Sequence, residues 1–167
     1  MKIFLTKFGF SLVEMLIYVS VLSVIFLVIV NTSLSFVGSY RTLSALRAAD
    51  HGGIDALEPI TRAIRGADTI VGTGNSLTLS ETNSGIATTT LFSLVGGTIN
   101  ETVTVNGVQN NSLSGPLTAS DVNITALTFT ALATSTASAV KIDMTTQATS
   151  GTVTKTKNFH STVVLHG

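Results

Sequence analysis

Between Phe10 and Val30 the chain carries 21 residues whose only formal charge is Glu14, and fifteen of them are Leu, Ile, Val or Phe. At about 1.5 Å per residue such a run, wound as a helix, spans roughly 30 Å, the hydrocarbon thickness of a bilayer. Those fifteen side chains favour insertion by roughly 5 to 9 kcal/mol, which a carboxylate costing about 3 kcal/mol does not cancel. A segment of this kind leaves the remaining chain room for one folded domain within 167 residues. Lys2 and Lys7 precede the run and no basic residue follows until Arg41. The positive-inside bias therefore predicts a single pass through the cytoplasmic (inner) membrane, N-terminus in the cytoplasm and the rest extracytoplasmic.

Helical periodicity continues past the run. Phe36, Tyr40, Leu43, Leu46, Ala49, Gly53, Leu57, Ile60 and Ile64 recur at steps of three and four, with Arg41, Arg47, Asp55, Arg62 and Arg65 mostly off the stripe. The pattern predicts one long helix from about Ser11 to Arg65, stopped at Gly66. Gly52 and Gly53 lower helix propensity and Pro59 removes a backbone donor, so a kink or short break is expected between His51 and Pro59.

After Gly66 the composition changes to Thr, Ser, Asn, Gly, Val and Ile with period-two alternation. Strands are predicted at Ser76 to Ser80, Thr88 to Val95, Thr98 to Val105, Val122 to Ala131, Ala139 to Thr145 and Val153 to Leu165. Turn signals separate them at Asn83-Ser84-Gly85, Gly96-Gly97, Asn106-Gly107, Gly115-Pro116 and Ser150-Gly151. Asn106-Gly107 is the strongest hairpin signal, because both residues tolerate the positive φ of a tight primed turn. The Thr-rich stretches around Thr88 and Thr134 are also compatible with low-complexity loops. The expected class is α+β, a long N-terminal helix packed on an antiparallel β-sheet head. It divides into a leader over 1–9, an apolar segment over 10–31, an amphipathic continuation over 32–66 and a β-rich head over 67–167.

The residues Lys7-Phe8-Gly9-Phe10-Ser11-Leu12-Val13-Glu14-Met15 resemble the processing site of type IV prepilins and type II secretion pseudopilins. A short basic leader, Gly directly before Phe, and Glu five residues into the mature chain are fused here to an uninterrupted apolar helix. The resemblance implies a pilin-like fold and cleavage by a prepilin peptidase between Gly9 and Phe10. It further implies N-methylation of Phe10, and subunit–subunit assembly through Glu14 meeting the N-terminal amine of a neighbouring subunit. Ser11 stands where Thr is common in the family. The physical logic agrees, since a carboxylate at the edge of an apolar helix needs a partner once water is removed. A secretory signal peptide shares the basic start and apolar middle, and Val37-Gly38-Ser39 imitates its cleavage site. Such apolar regions are usually 7 to 15 residues long and lack a leading acid. A plain anchored surface protein is the other alternative.

More loosely, the remainder resembles J-type minor pseudopilins and related minor pilins. The carrying residues are Ile60-x-Arg62-x-Ile64-Arg65-x-Ala67, Ser76-Leu77-Thr78-Leu79, Gly115-Pro116-Leu117-Thr118-x-x-Asp121-Val122, Leu127-Thr128-Phe129 and the closing strand Phe159 to Leu165. The family usually ends in a charged or polar tail, whereas this sequence ends His166-Gly167. The resemblance implies a structural minor subunit of a type IV pilus or type II secretion-like filament, placed in the tip or initiation complex. The implied partners are prepilin peptidase, other pilin or pseudopilin subunits and an inner-membrane assembly platform. The alternative is an adhesin or DNA-uptake tip protein that uses the same anchor and touches its ligand through Thr/Asn-rich loops.

Charge and composition narrow the chemistry. Nine basic and nine acidic residues cancel, so there is no broad basic field to collect nucleic acid, and no nucleic-acid partner is expected. Cysteine is absent, which removes disulfides, thiolate metal sites and cysteine nucleophiles together. His51, His160 and His166 form no zinc spacing, and Gly72-x-Gly74 lacks the third glycine of a dinucleotide fingerprint. Asp121 and Asp143 are too isolated for a calcium site. Asn31, Asn100 and Asn123 fit glycosylation sequons that chance explains in so Thr- and Asn-rich a chain. Arg62 and Arg65 read as a solvated helix face paired with Asp55, Glu58 or Asp68. No enzyme activity, metal or cofactor is expected. Only 6% of residues are aromatic, and half of them lie in the leader and apolar run, which argues against an adhesive loop surface.

Overall fold

The computed structural model describes residues 11–72, 74–133 and 138–165. Helix α1 spans Leu12–Gly66, and the chain divides into two compact units, 1–40 and 41–167. In the first unit every described residue is helical or opens the helix, and every one is exposed. This helix is long and apolar enough to cross a membrane.

The second unit contains residues 41–66 of α1 and nine strands: β1 (Thr69–Val71), β2 (Ser76–Asn83), β3 (Ile86–Val95), β4 (Thr98–Val105), β5 (Val108–Gln109), β6 (Gly115–Pro116), β7 (Val122–Ala133), β8 (Ser138–Ser150) and β9 (Val153–Val164). They form two antiparallel sheets. One runs β1-β2-β3-β4-β5 with β6 also on β4; the other is β7-β8-β9. The arrangement is α+β and consistent with a pilin-like fold. Strand alternation supplies the core: Leu77 and Leu79 from β2, Phe92 from β3, Ile99 from β4 and Val140, Ile142 and Met144 from β8 are buried with Ile60 and Ile64 of α1. In β7 the inward positions change from Val122 and Ile124 to Leu127 and Phe129. A register shift between Ile124 and Ala126 makes the change, one extra residue reversing which side chains face the core.

The expected break between His51 and Pro59 does not occur, because α1 continues through Gly52, Gly53 and Pro59. Both glycines are buried against the second sheet. A Cβ on Gly52 would lie 2.7 Å from Val122 Cγ2, and one on Gly53 would clash with the Phe159 ring edge at Cε2. The glycines let the helix backbone approach the strands, and the packing gained outweighs a propensity cost of about 1 kcal/mol each. The buried seam is accordingly Ala45, Ala49, Gly52, Gly53, Ala56, Ile60 and Ile64, which keeps Ala49, Gly53, Ile60 and Ile64 of the expected stripe and adds the small residues Ala45, Gly52 and Ala56. Phe36, Tyr40 and Leu43 are exposed. Two polar contacts fasten the seam: Thr146 Oγ1, fully buried, donates to the Ala49 carbonyl at 3.0 Å, and Lys157 Nζ meets Asp50 Oδ1 at 2.9 Å.

Asn106-Gly107 closes the β4–β5 hairpin with φ of 48° and 82°, the geometry of a primed turn. Asn106 also accepts from the Ala87 amide at 3.0 Å. Gly115-Pro116 forms the short strand β6 rather than a turn. The Thr-rich stretch around Thr88 lies within β3, paired on both sides. The stretch around Thr134 lies outside the described residues.

Candidate functional site

Glu14 stands in the first turn of α1, where a carboxylate suits the positive end of the helix dipole. Its Oε1 accepts a hydrogen bond from Tyr18 Oη, one turn on, at 3.2 Å. No other residue between 11 and 40 carries a formal charge. Four serine and threonine hydroxyls along this helix are satisfied internally: Ser20, Ser23, Thr32 and Ser39 donate to carbonyls three or four residues back at 2.8 to 3.0 Å. Such back-bonding lets hydroxyls sit in an apolar surface without exposing an unmet donor. What remains on the outside is Leu, Ile, Val and Phe, most of them more than half exposed. An apolar surface of this length far exceeds the scattered patches of a water-soluble monomer. It requires lipid or other protein around it. Gly9 and Phe10, the expected processing junction, lie outside the described residues, as does the leader.

On the second unit the expected polar features separate. Arg62 Nη2 pairs with Glu58 Oε1 at 2.5 Å on an exposed helix face, while Asp68 Oδ2 instead accepts the Thr82 amide at 2.6 Å. His51 is exposed, and His166 lies outside the described residues. His160 Nδ1 lies 2.6 Å from Asp143 Oδ1 across the β8–β9 pairing, and Lys141 Nζ lies 2.8 Å from Asp143 Oδ2. Hydrogen bonds from Lys141 and then His160 hold the Asp143 carboxyl below its usual range. Among the described residues no three His, Cys, Asp or Glu side chains come together as a metal site.

One polar concavity was not anticipated. Asn100, Glu101, Thr102, Gln109, Asn111, Ser114 and Gly115 line a cavity of about 340 Å³ at the outer edge of β4. Its floor exists because the chain after β5 folds back on that edge: Val103 N donates to Ser114 Oγ at 2.9 Å, Ser114 Oγ donates to the Asn110 carbonyl at 2.7 Å, and Asn110 N donates to the Val103 carbonyl at 2.8 Å. The sequence held one signal for it. In the alternation Ile99-x-Glu101-x-Val103 a carboxylate occupies a position whose neighbours on both sides are core residues.

No family model, curated protein or solved structure matches the chain.

Proposed function

We propose that the chain is a structural minor pilin or pseudopilin, a subunit of a type IV pilus or type II secretion-like filament and not an enzyme. The observation that carries the reading is the exposed apolar stretch of α1 over residues 12–40, whose one charge, Glu14, lies in the first turn of the helix, preceded in sequence by Lys7-Phe8-Gly9-Phe10. In this reading the helix anchors the precursor in the cytoplasmic membrane by a single pass, N-terminus inside and head outside. Prepilin peptidase cleaves after Gly9 and methylates Phe10. The anchor then leaves lipid for a core of like helices, guided by the assembly platform, with the subunit in the tip or initiation complex.

Glu14 supplies what a uniformly greasy helix lacks, a mark of axial register. Inside such a core an unpaired carboxylate is costly and a paired one is tolerated. The freed α-amine of Phe10 on the neighbouring subunit has an ordinary pKa of about 7.7 to 8.0 and keeps its charge when methylated. Attraction between the two aligns helices that dispersion alone would let slide.

Mass spectrometry of the membrane-extracted protein tests the reading. It should find Phe10 as the N-terminus with one added methyl group. A mature chain beginning near Leu34 or Tyr40 would establish ordinary signal-peptidase cleavage and remove the proposal.

A further inference from the structure

Between residues 12 and 30 of α1 only Glu14, Tyr18, Ser20 and Ser23 carry side-chain oxygens. The two serines return their hydroxyls to carbonyls of their own helix. That solution is closed to a tyrosine, whose hydroxyl stands at the far end of a rigid ring, and an unmet phenol among hydrocarbon is costly. The Tyr18 hydroxyl donates instead to Glu14 Oε1 at 3.2 Å. Each residue thereby answers a need of the other: the phenol gains an acceptor, and the carboxylate gains a donor where lipid offers none.

Helix geometry gives the pair a direction. Residues four apart stack on one face and their Cα–Cβ bonds tilt toward the helix N-terminus, so a long side chain at position 18 reaches back over position 14. Both side chains lie on the exposed surface of the helix, where lipid or other helices meet them. The Tyr18 ring suits that apolar surface while its polar tip points to the membrane boundary. The bond engages one carboxylate oxygen, and among the described residues nothing donates to Oε2. A carboxylate has lone pairs for several donors at once, so Glu14 can accept an incoming cation without releasing the phenol. A glutamate side chain otherwise loses much rotamer freedom on being ordered. Ordering it before the partner arrives lowers the cost of the contact.

We propose that Tyr18 is the positioning residue of the assembly contact, its phenol holding the Glu14 carboxylate in the orientation that receives the ammonium group of a neighbouring chain. The inference rests on the assembly reading of Glu14 given above and adds to it the group that orients the carboxylate. In lipid the phenol is the donor that accompanies the carboxylate through its wait; in a core of like helices the carboxylate accepts from phenol and ammonium together.

Two arms of one experiment let the contact and the assembly reading fail separately. In the first, the membrane-extracted chain carrying isotope-labelled glutamate is observed by carbon NMR in detergent micelles, the Glu14 carboxyl signal being identified by its loss in Glu14→Ala. Tyr18→Phe keeps the ring and should shift that signal while leaving those of Glu58, Glu81 and Glu101 in place. An unmoved Glu14 signal would overturn the proposal whatever happens in filaments. In the second arm each variant replaces the parent in its native cells, and entry into sheared filaments is scored as a share of the chain cleaved after Gly9. Tyr18→Phe should enter about tenfold less well, the loss expected for one hydrogen bond to a charged group. Tyr18→Leu should fall no further than Tyr18→Phe, and Tyr18→Phe should add nothing to the loss caused by Glu14→Ala. Normal entry of Tyr18→Phe where Glu14→Ala is excluded would overturn the positioning role and leave the assembly reading standing. A deeper loss with Tyr18→Leu, or an added loss in the Glu14→Ala background, would assign Tyr18 to packing and overturn it too. Normal entry of both Tyr18→Phe and Glu14→Ala would remove the register role of Glu14 together with this inference.

Discussion

At the residue scale, the two buried glycines show how one atom governs an interface. Gly53→Ala would force the Phe159 ring aside, and overpacking of this kind costs about 1 to 3 kcal/mol. Gly38→Ala, where nothing lies within 4 Å of the added carbon, should leave head stability unchanged. Urea unfolding followed by circular dichroism separates the two. Two carboxyls pull stability in opposite directions with pH. Asp143 is held low in the fold, so its contribution is present above its ordinary value of about 3.9 and fades as pH falls through the folded value. Glu101 is held high, so its ionisation costs stability as pH rises from about 4.3 through the raised folded value. Glu101→Gln should therefore melt higher than the parent at pH 7 and converge with it in acid. Asp143→Asn should melt slightly lower at pH 7 and also converge in acid. A Glu101→Gln difference that grows toward low pH would contradict the assignment. For the register role proposed for Glu14, Glu14→Ala should insert and be cleaved normally yet co-purify poorly with partner subunits; normal incorporation of the processed variant would show that the carboxylate does not select register.

At the element scale, the contact between α1 and the second sheet rests on close approach more than on charge. Thr146→Val removes the buried hydroxyl bond to Ala49 and should cost about 1 kcal/mol. Lys157→Ala removes a half-exposed ion pair with Asp50 and should cost at most about 0.5 kcal/mol. Thermal melts of the two variants compare the terms directly. The longer strands were legible in the sequence because each carries a run of alternation: β4 begins and ends where Thr98 to Val105 predicts, β2, β3, β7 and β8 extend their predicted cores by a few residues, and β9 ends at Val164, one residue short of the predicted Leu165. Strands β1, β5 and β6, with two or three residues each, are too short to show a period and exist through their pairing with longer neighbours. The seam of α1 was legible at Ala49, Gly53, Ile60 and Ile64 and missed at Ala45, Gly52 and Ala56 for a different reason. Periodicity weights large apolar side chains, whereas close contact with a sheet also selects Ala45, Gly52 and Ala56, which such weighting undercounts. Glu101 drew no notice in the sequence because a single acid in a Thr-rich strand looks solvated until the cross-strand neighbour, Phe92, is known.

At the scale of the whole molecule, the division near Tyr40 separates surface that water does not tolerate from a unit with its own core. A fragment of residues 41–167 should be soluble without detergent and mostly β by circular dichroism with one helix, because every strand and the buried seam of α1 lie within it. A random-coil spectrum would show that the core needs more of the chain than this. The change of composition along the chain, apolar run first and Thr-rich strands after, separates the same two kinds of surface in the sequence; the pairing of particular strands with a particular helix face was not legible there, since nothing local joins residues so distant. That distance has a consequence in time. Thr146 reaches back 97 residues to Ala49, and Phe159 fills the space above Gly53. A growing chain that has delivered α1 and the whole first sheet still has no β7–β9 platform on which to lay that helix, and the glycines leave the waiting segment weakly helical by itself. The seam of α1 is therefore closed last, when the β8–β9 hairpin is in place to cover it.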